Sequence, residues 1–211
     1  MNSDNLTMKE REFLFLKRTQ YYLSKGYDRI RAAKFVANCA GEIGSPALDV
    51  GAGKGILSRA LAEKGISVIA VDINKYDLEF AKYITAKEGL KSKIKFLSLD
   101  ASSLPFKEKS FKTVAMMNVL HHLGLREGEK ILSEMARVLS DDGTIIIAEF
   151  DKLGFEIVAE AHNEEGSTHE TSGFTMKKAS SFLKNHKIEP VLKLNSNFND
   201  IMVFKKWFGN F

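Results

Sequence analysis

Apolar positions along the 211-residue chain switch between two rhythms. Up to about residue 44 they recur at helical spacing. Phe13, Leu16 and Leu23 can share the inner face of a first helix. Ile30, Ala33, Val36, Ala37 and Ala40 recur in a second, which Asp28 can cap, and Gly26 separates the two. Gly41, Gly44 and Pro46 end this stretch. From Ala47 onward, short aliphatic and β-branched runs alternate with helical patterns. The runs predict strands at 47–50, 67–71, 94–99, 113–117 and 144–148, and helices at 54–64, 75–88 and 127–139. Asp141-Asp142-Gly143 is predicted as a turn before the fifth strand, and residues 151–173, rich in Gly, Ser and Thr, as a polar loop. Such alternation means a parallel sheet with helices on both faces. Residues 175–185 read as a last helix. The strands predicted at 191–194 and 201–205 are joined by a turn too short for a crossover, so they pair antiparallel.

Composition narrows the class. With 44% hydrophobic and 27% charged residues the chain can build a core and solvate its surface, as one domain (45–211) carrying an N-terminal helical lid (1–44). No apolar run is long enough for a membrane span, and the polar start lacks the apolar block of a secretory signal. Cys39 is the single cysteine, which excludes an intrachain disulfide and a cysteine-based zinc site and suits a reducing, cytoplasmic setting. The net charge of +4 is unevenly spread: residues 1–46 carry eight Lys/Arg against five Asp/Glu, and 170–211 carry seven against three. No dense basic cluster appears, so solvated helix faces explain these flanks better than a nucleic-acid surface.

Candidate chemistry concentrates where strands end. Leu48-Asp49-Val50-Gly51-Ala52-Gly53-Lys54-Gly55 joins a buried strand to a helix, and its glycines let a ligand touch the main chain. In open α/β sheets ligands sit beyond the carboxyl ends of the strands. A dinucleotide fingerprint would require glycine where Ile56 stands, so a pyrophosphate fits poorly. Asp49 can instead accept from a cationic amine. Asp72 closes the second strand, where a carboxylate commonly grips ribose hydroxyls; the alternative, capping the next helix, is open to Asn74. Asp100 closes the third strand.

These pieces, with Met117-Asn118-Val119-Leu120-His121-His122-Leu123 and residues 134–149, resemble the class I S-adenosylmethionine-dependent methyltransferases, especially the group that includes the quinone-biosynthesis enzymes. The resemblance covers about residues 45–150. It implies a Rossmann-like three-layer sandwich whose mostly parallel, seven-stranded sheet has an antiparallel last strand. It implies S-adenosylmethionine as cofactor, S-adenosylhomocysteine as product and a small molecule as methyl acceptor. By the same resemblance Asp49, Gly51, Ala52 and Gly53 would hold the methionine part. Asp72 would bind the ribose hydroxyls and Ile73 would pack on the adenine. Asp100 would accept from the adenine amino group beside the main chain of Ala101, and Asn118 would line the sulfonium end. His121 and His122 stand where the methyl would leave, and either is a candidate general base or a packing residue.

Two rival readings meet opposing features. A nicotinamide-dependent oxidoreductase is opposed by Ile56. An RNA-modifying methyltransferase is opposed by Asn118-Val119-Leu120-His121, which lacks the prolines of base-methylating enzymes. His162, Glu164, Glu165, His169 and Glu170 could ligate zinc or iron, but they fall in the predicted polar loop and no metal is assigned. Tyr21, Tyr22, Phe155 and Phe174 either line an acceptor pocket or fill core.

Overall fold

The computed structural model describes residues 6–164, 166, 168, 171–196 and 198–207. Helices α1 (Met8–Ser24) and α2 (Arg29–Cys39) precede β1 (Ala47–Val50), α3 (Ile56–Glu63), β2 (Val68–Asp72), α4 (Lys75–Lys87), β3 (Ile94–Ser98) and β4 (Phe111–Met117). A 3-10 turn at Leu120–His122 leads to α5 (Leu125–Val138), β5 (Leu139–Phe150), α6 (Lys152–Glu164), α7 (Met176–Asn185), β6 (Ile188–Ser196) and β7 (Asn199–Lys206).

The seven strands lie in the order β3-β2-β1-β4-β5-β7-β6. The first five run parallel, and β7 pairs antiparallel with both β5 and β6. After β1 the chain builds outward through β2 and β3, then returns to place β4 on the other side of β1. This reversal opens a crevice at the carboxyl ends of β1 and β4.

Side chains alternate across the sheet with period two. Val114 and Met116, Ile145 and Ile147, and Met202 and Phe204 join one core with Ile131, Leu132, Met135 and Val138 of α5 and Ala179 and Leu183 of α7. Ala115, Ile146, Ala148 and Ile201 face the other core, with Val36 and Ala37 of α2 and Leu57 and Leu61 of α3. Each fully buried Val, Leu, Ile, Met or Phe side chain among them contributes about 1.5–3 kcal/mol. Both faces are covered, which is why the strands read as continuous apolar runs.

The helix ends follow their sequence signals. Asp28 accepts from the Ile30 and Arg31 amides at the start of α2. Thr7 and Glu10 form a capping box on α1. The packing of α2 against the sheet makes it part of the main core, whereas α1 lies outside both layers and touches α4, α6 and α2.

Three expectations are corrected. Phe13, Leu16 and Leu23 do not face inward; they are 67%, 51% and 56% exposed. The α1 residues that bury are Phe15, against Phe80 and Ile84, and Tyr22, against Tyr27 and Val158. Phe15 and Tyr22 are seven residues apart on one stripe, and aromatic partners, Phe80 on α4 and Tyr27 just before α2, select that stripe over its equally apolar neighbour. Asp141–Gly143 is not a free turn but an irregular part of β5, where Phe111 to Thr113 of β4 pairs with Leu139 to Thr144. The polar loop expected from residue 151 begins instead with α6. Gly154, Ile157, Val158 and Ala161 form its buried stripe, and Asp151 accepts from the Gly154 amide at its start. Gly154 lets this helix approach closely, since a Cβ there would stand 2.4 Å from the Phe198 carbonyl oxygen.

Candidate active site

The crevice is floored by the loop after β1. The Gly51 and Ala52 amides donate to the Val71 carbonyl at 2.9 and 3.0 Å, folding the loop over the end of β2. Gly51 has φ +71°, and a Cβ would lie 2.5 Å from the Val119 side chain. Replacing Gly51 by Ala is therefore expected to cost at least about 2 kcal/mol, from left-handed backbone strain plus overpacking, and to lower the thermal unfolding midpoint measurably. An unchanged midpoint would contradict this. Gly53 has φ +48°, but a Cβ there would meet nothing within 4 Å. The loop thus presents open main chain toward the crevice at that position.

The three acidic residues occupy three depths. Asp49 lies inside β1, 1% exposed, and the Ser58 hydroxyl donates to it at 2.5 Å. Burial pushes its carboxyl up to about 7; the charge of Asp72 acts the same way and the Ser58 bond opposes both. Asp72 ends β2, half-buried, with Oδ2 accepting from the Gly53 amide at 2.7 Å and Oδ1 from the Asn74 amide at 2.8 Å. Asn74 itself caps α4, accepting from Tyr76 and Asp77, so Asp72 is not needed as the cap. Asp100 is exposed two residues beyond β3; the Ser102 amide donates to it at 2.8 Å and, with the Ser102 side chain, lowers its pKa. Ile73 stands on the rim with 77% of its surface exposed, and Ala101 is half-buried beside Asp100.

Asn118, after β4, adopts φ +57° and donates its amide to the Ala148 carbonyl at 2.8 Å. Its side chain accepts from buried Asn199 at 2.7 Å and donates to the Tyr27 hydroxyl at 3.4 Å. Burial pushes the Tyr27 phenol up to about 12, so it stays protonated at neutral pH. The 3-10 turn then places His121 against the end of β5. Its Nδ1 lies 2.8 Å from Glu149 Oε1, and its amide donates to Glu149 Oε2 at 3.1 Å. A carboxylate accepts, so Nδ1 carries the proton and Nε2 is the acceptor nitrogen of the ring. His122 packs on His121 with ring centroids 3.9 Å apart; burial, and then His121, holds its pKa below the ordinary value.

Asp49, Gly51, Ala52, Gly53, Asn118, His121 and His122 all line one cavity of about 270 Å³, together with Tyr22, Tyr27 and Phe150. Asp72 reaches it through Gly53, while Ile73, Asp100 and Ala101 continue along the sheet edge outside it. His121 and Phe150 also line a neighbouring, largely apolar cavity of about 380 Å³ that includes Phe155 and Phe174. Tyr22, Phe155 and Phe174 are thus both lining and packing residues, and Tyr21 stacks edge-on against Tyr22. Glu149, Tyr27 and Asn199 were not singled out from sequence. Only Glu149 carried a signal, an acid closing a strand as Asp72 does. His162 and Glu164 sit on α6, and Glu165, His169 and Glu170 lie outside the described residues. Among the described residues no group of three or more His, Cys, Asp or Glu could hold a metal ion, and no helix is long and apolar enough to cross a membrane.

Comparison with known proteins supplies the family. Residues 48–147 match the methyltransferase domain model. Demethylmenaquinone methyltransferase of Clavibacter sepedonicus is 37% identical over 139 residues, covering 63% of this chain and 52% of that one. The chain spans about half the length of the curated relatives it matches. The PH0226 protein of Pyrococcus horikoshii shares the fold, with a TM-score of 0.70 over 92% of each chain at 16% identity. An S-adenosylmethionine-dependent methyltransferase of Methanosarcina mazei is 26% identical with a TM-score of 0.62, over 77% of this chain and 92% of its own. With a glycine loop at the switch point of a β3-β2-β1-β4-β5-β7-β6 sheet, residues 48–147 form a class I S-adenosylmethionine-dependent methyltransferase domain, similar to that of the quinone-biosynthesis enzymes.

Proposed function

We propose that this protein transfers the methyl group of S-adenosylmethionine to a small-molecule acceptor. One observation carries the reading furthest. Asp49 is a buried carboxyl beneath an open glycine loop, with a pKa raised to about 7, and a cationic amine in the cavity would restore its charge. In this reading Asp49 takes the ammonium of the methionine part, and the main chain of Gly51, Ala52 and Gly53 lies against it. Asp72 accepts from both ribose hydroxyls, Ile73 covers the adenine, Asp100 accepts from the adenine amino group beside Ala101, and Asn118 lines the sulfonium end.

The cofactor supplies the electrophile, a sulfonium-bound methyl group. The chain's own contribution is alignment and exclusion of water. Tyr27 and Asn199 hold Asn118 in its left-handed conformation, fixing the wall nearest the transfer. Glu149 holds His121 so that Nε2 can take a proton from an acceptor that is protonated at neutral pH. His122 lines the same cavity and is the second candidate for that proton. A cytoplasmic setting belongs to the same proposal and rests on the single cysteine.

The lid proposed for residues 1–44 falls to α1, because α2 is built into the core. Spanning from α4 to α6, α1 lies over the cavity that Tyr22 helps to line. Deleting residues 1–25 is expected to reduce turnover at least tenfold while S-adenosylhomocysteine affinity changes about threefold or less. Equal losses in both would contradict a lid.

The function is tested by following S-adenosylhomocysteine formation with a panel of acceptors. The likeness to demethylmenaquinone methyltransferase places quinone precursors first in that panel. Cofactor binding without turnover on any acceptor would leave a binding protein and refute the enzyme.

A further inference from the structure

Beneath α1 lies another cavity, of about 550 Å³, between that helix and the first turn of α4. It shares Tyr22, Arg29, Lys54 and Asp77 with the cavity at the glycine loop, so the two adjoin. Arg11, Lys17 and Arg18 of α1 join Arg29 and Lys54 on its wall with Asp77, and Arg11 and Arg18 also have partners of their own. Asp77 approaches Lys54 at 3.4 Å. Arg29 has two aromatic neighbours instead, its guanidinium 4.9 Å from the Phe15 ring centre and 5.5 Å from that of Tyr22. Among the described residues it makes no hydrogen bond or ion pair.

The cations press on one another. Burial, and then Arg18 and Arg59, pulls the Arg29 pKa down; burial, and then Arg18 and Lys54, does the same to His162 on α6. The cofactor does not relieve this crowding, since a sulfonium and an ammonium against one carboxylate leave it net positive. A negatively charged acceptor would.

We propose that this cavity binds the anionic group, a carboxylate or a phosphate, of the methyl acceptor, with Arg29 as its main partner and Arg18 and Lys54 beside it. The inference rests on the reading of the glycine loop as the cofactor site. Arg29 stands at the junction of the two cavities, so an acceptor anchored there reaches toward His121 and His122 in the inner one. The two aromatic faces hold the guanidinium plane in place, which suits bidentate pairing with a planar or tetrahedral anion and limits the ordering cost. Acceptor binding would then also fasten α1 over the site.

Titration calorimetry on the full chain tests this, with inorganic pyrophosphate as the anion probe and S-adenosylhomocysteine as the cofactor probe. Pyrophosphate is expected to bind the S-adenosylhomocysteine-saturated wild type. Arg29→Gln should weaken that binding at least about tenfold and Arg18→Gln at least about threefold, with S-adenosylhomocysteine affinity within about threefold of wild type in both. Arg18→Gln leaves the aromatic seat of Arg29 intact and keeps the test valid if Arg29→Gln folds poorly. No pyrophosphate binding to the saturated wild type, or binding undiminished in both variants, overturns the proposal. Competition between the two probes, with Arg29→Gln losing S-adenosylhomocysteine instead, would assign the cations to the cofactor's own carboxylate and also overturn it. A wild type that binds pyrophosphate but no S-adenosylhomocysteine would sink the glycine-loop reading, and with it the assignment to a methyl acceptor.

Discussion

Asp72→Ala is expected to lower affinity for S-adenosylhomocysteine at least a hundredfold. Each oxygen of Asp72 already accepts one backbone amide, from Gly53 and from Asn74, and a carboxylate oxygen can accept a second bond. Two ribose hydroxyls would fill that remaining capacity. Hydrogen bonds to an ionised group contribute about 1.5–3 kcal/mol each, so losing two removes about 3–6 kcal/mol of binding. The substitution also strips the Gly53 and Asn74 amides of their acceptor, so some stability is lost with the affinity. Asp72→Asn separates the effects, because its amide oxygen keeps one acceptor while the charge is gone. Calorimetry beside thermal unfolding distinguishes them: a stable Asp72→Asn protein with wild-type affinity would exclude Asp72 from the ribose.

Asp49→Asn should act in opposite directions on the free and the bound protein. Burial raises the folded-state pKa of this carboxyl from 3.8 to about 7. Between those values the folded chain keeps a proton that the unfolded chain has lost, so stability falls as pH rises through the window and the full penalty stands above about 7. The displacement is worth about 4 kcal/mol. Without ligand, Asp49→Asn should therefore be more stable than wild type at pH 8, by about 2 kcal/mol once its buried amide is allowed for, and that gain should be gone by about pH 5. The bound state reverses the sign. An ammonium beside Asp49 favours the ionised form, so wild-type affinity for S-adenosylhomocysteine should strengthen from pH 6 to pH 8, with proton release on binding below about 7. Asp49→Asn should bind at least tenfold more weakly at pH 8 and with a flatter pH profile. Equal pH profiles for the two proteins would remove Asp49 from the amine site.

The parallel half of this molecule was legible because its chemistry is periodic. Ala47-Leu48-Asp49-Val50 and residues 144–148 are buried on both faces and read as apolar runs, and α5 shows its buried face at Ile131, Leu132, Met135 and Val138. The glycine loop was legible because Gly51 and Gly53 adopt positive φ, which L side chains rarely do, and Gly51 also leaves no room for a Cβ beside Val119. Elsewhere tertiary contacts decided between local options. Phe13 and Phe15 are equally apolar, and only the Phe80 ring selects Phe15. The buried stripe of α6 contains Gly154 and Ala161, small residues chosen for close approach and weak as a periodic signal. His121 was visible in sequence, but its partner Glu149 lies 28 residues away and meets it only because β4 and β5 are neighbours. Arg29 gave no signal of its own, since its role depends on Phe15, Tyr22 and Lys54 converging from different elements.

The central claim is that the crevice at the ends of β1, β2 and β4 holds an adenosyl cofactor rather than a dinucleotide. Equilibrium titration of the purified chain at pH 8 with S-adenosylhomocysteine, and separately with oxidised nicotinamide adenine dinucleotide, measures it directly. The account expects saturable one-to-one binding of the first and none of the second. Binding of the dinucleotide alone, or of neither ligand, would contradict it.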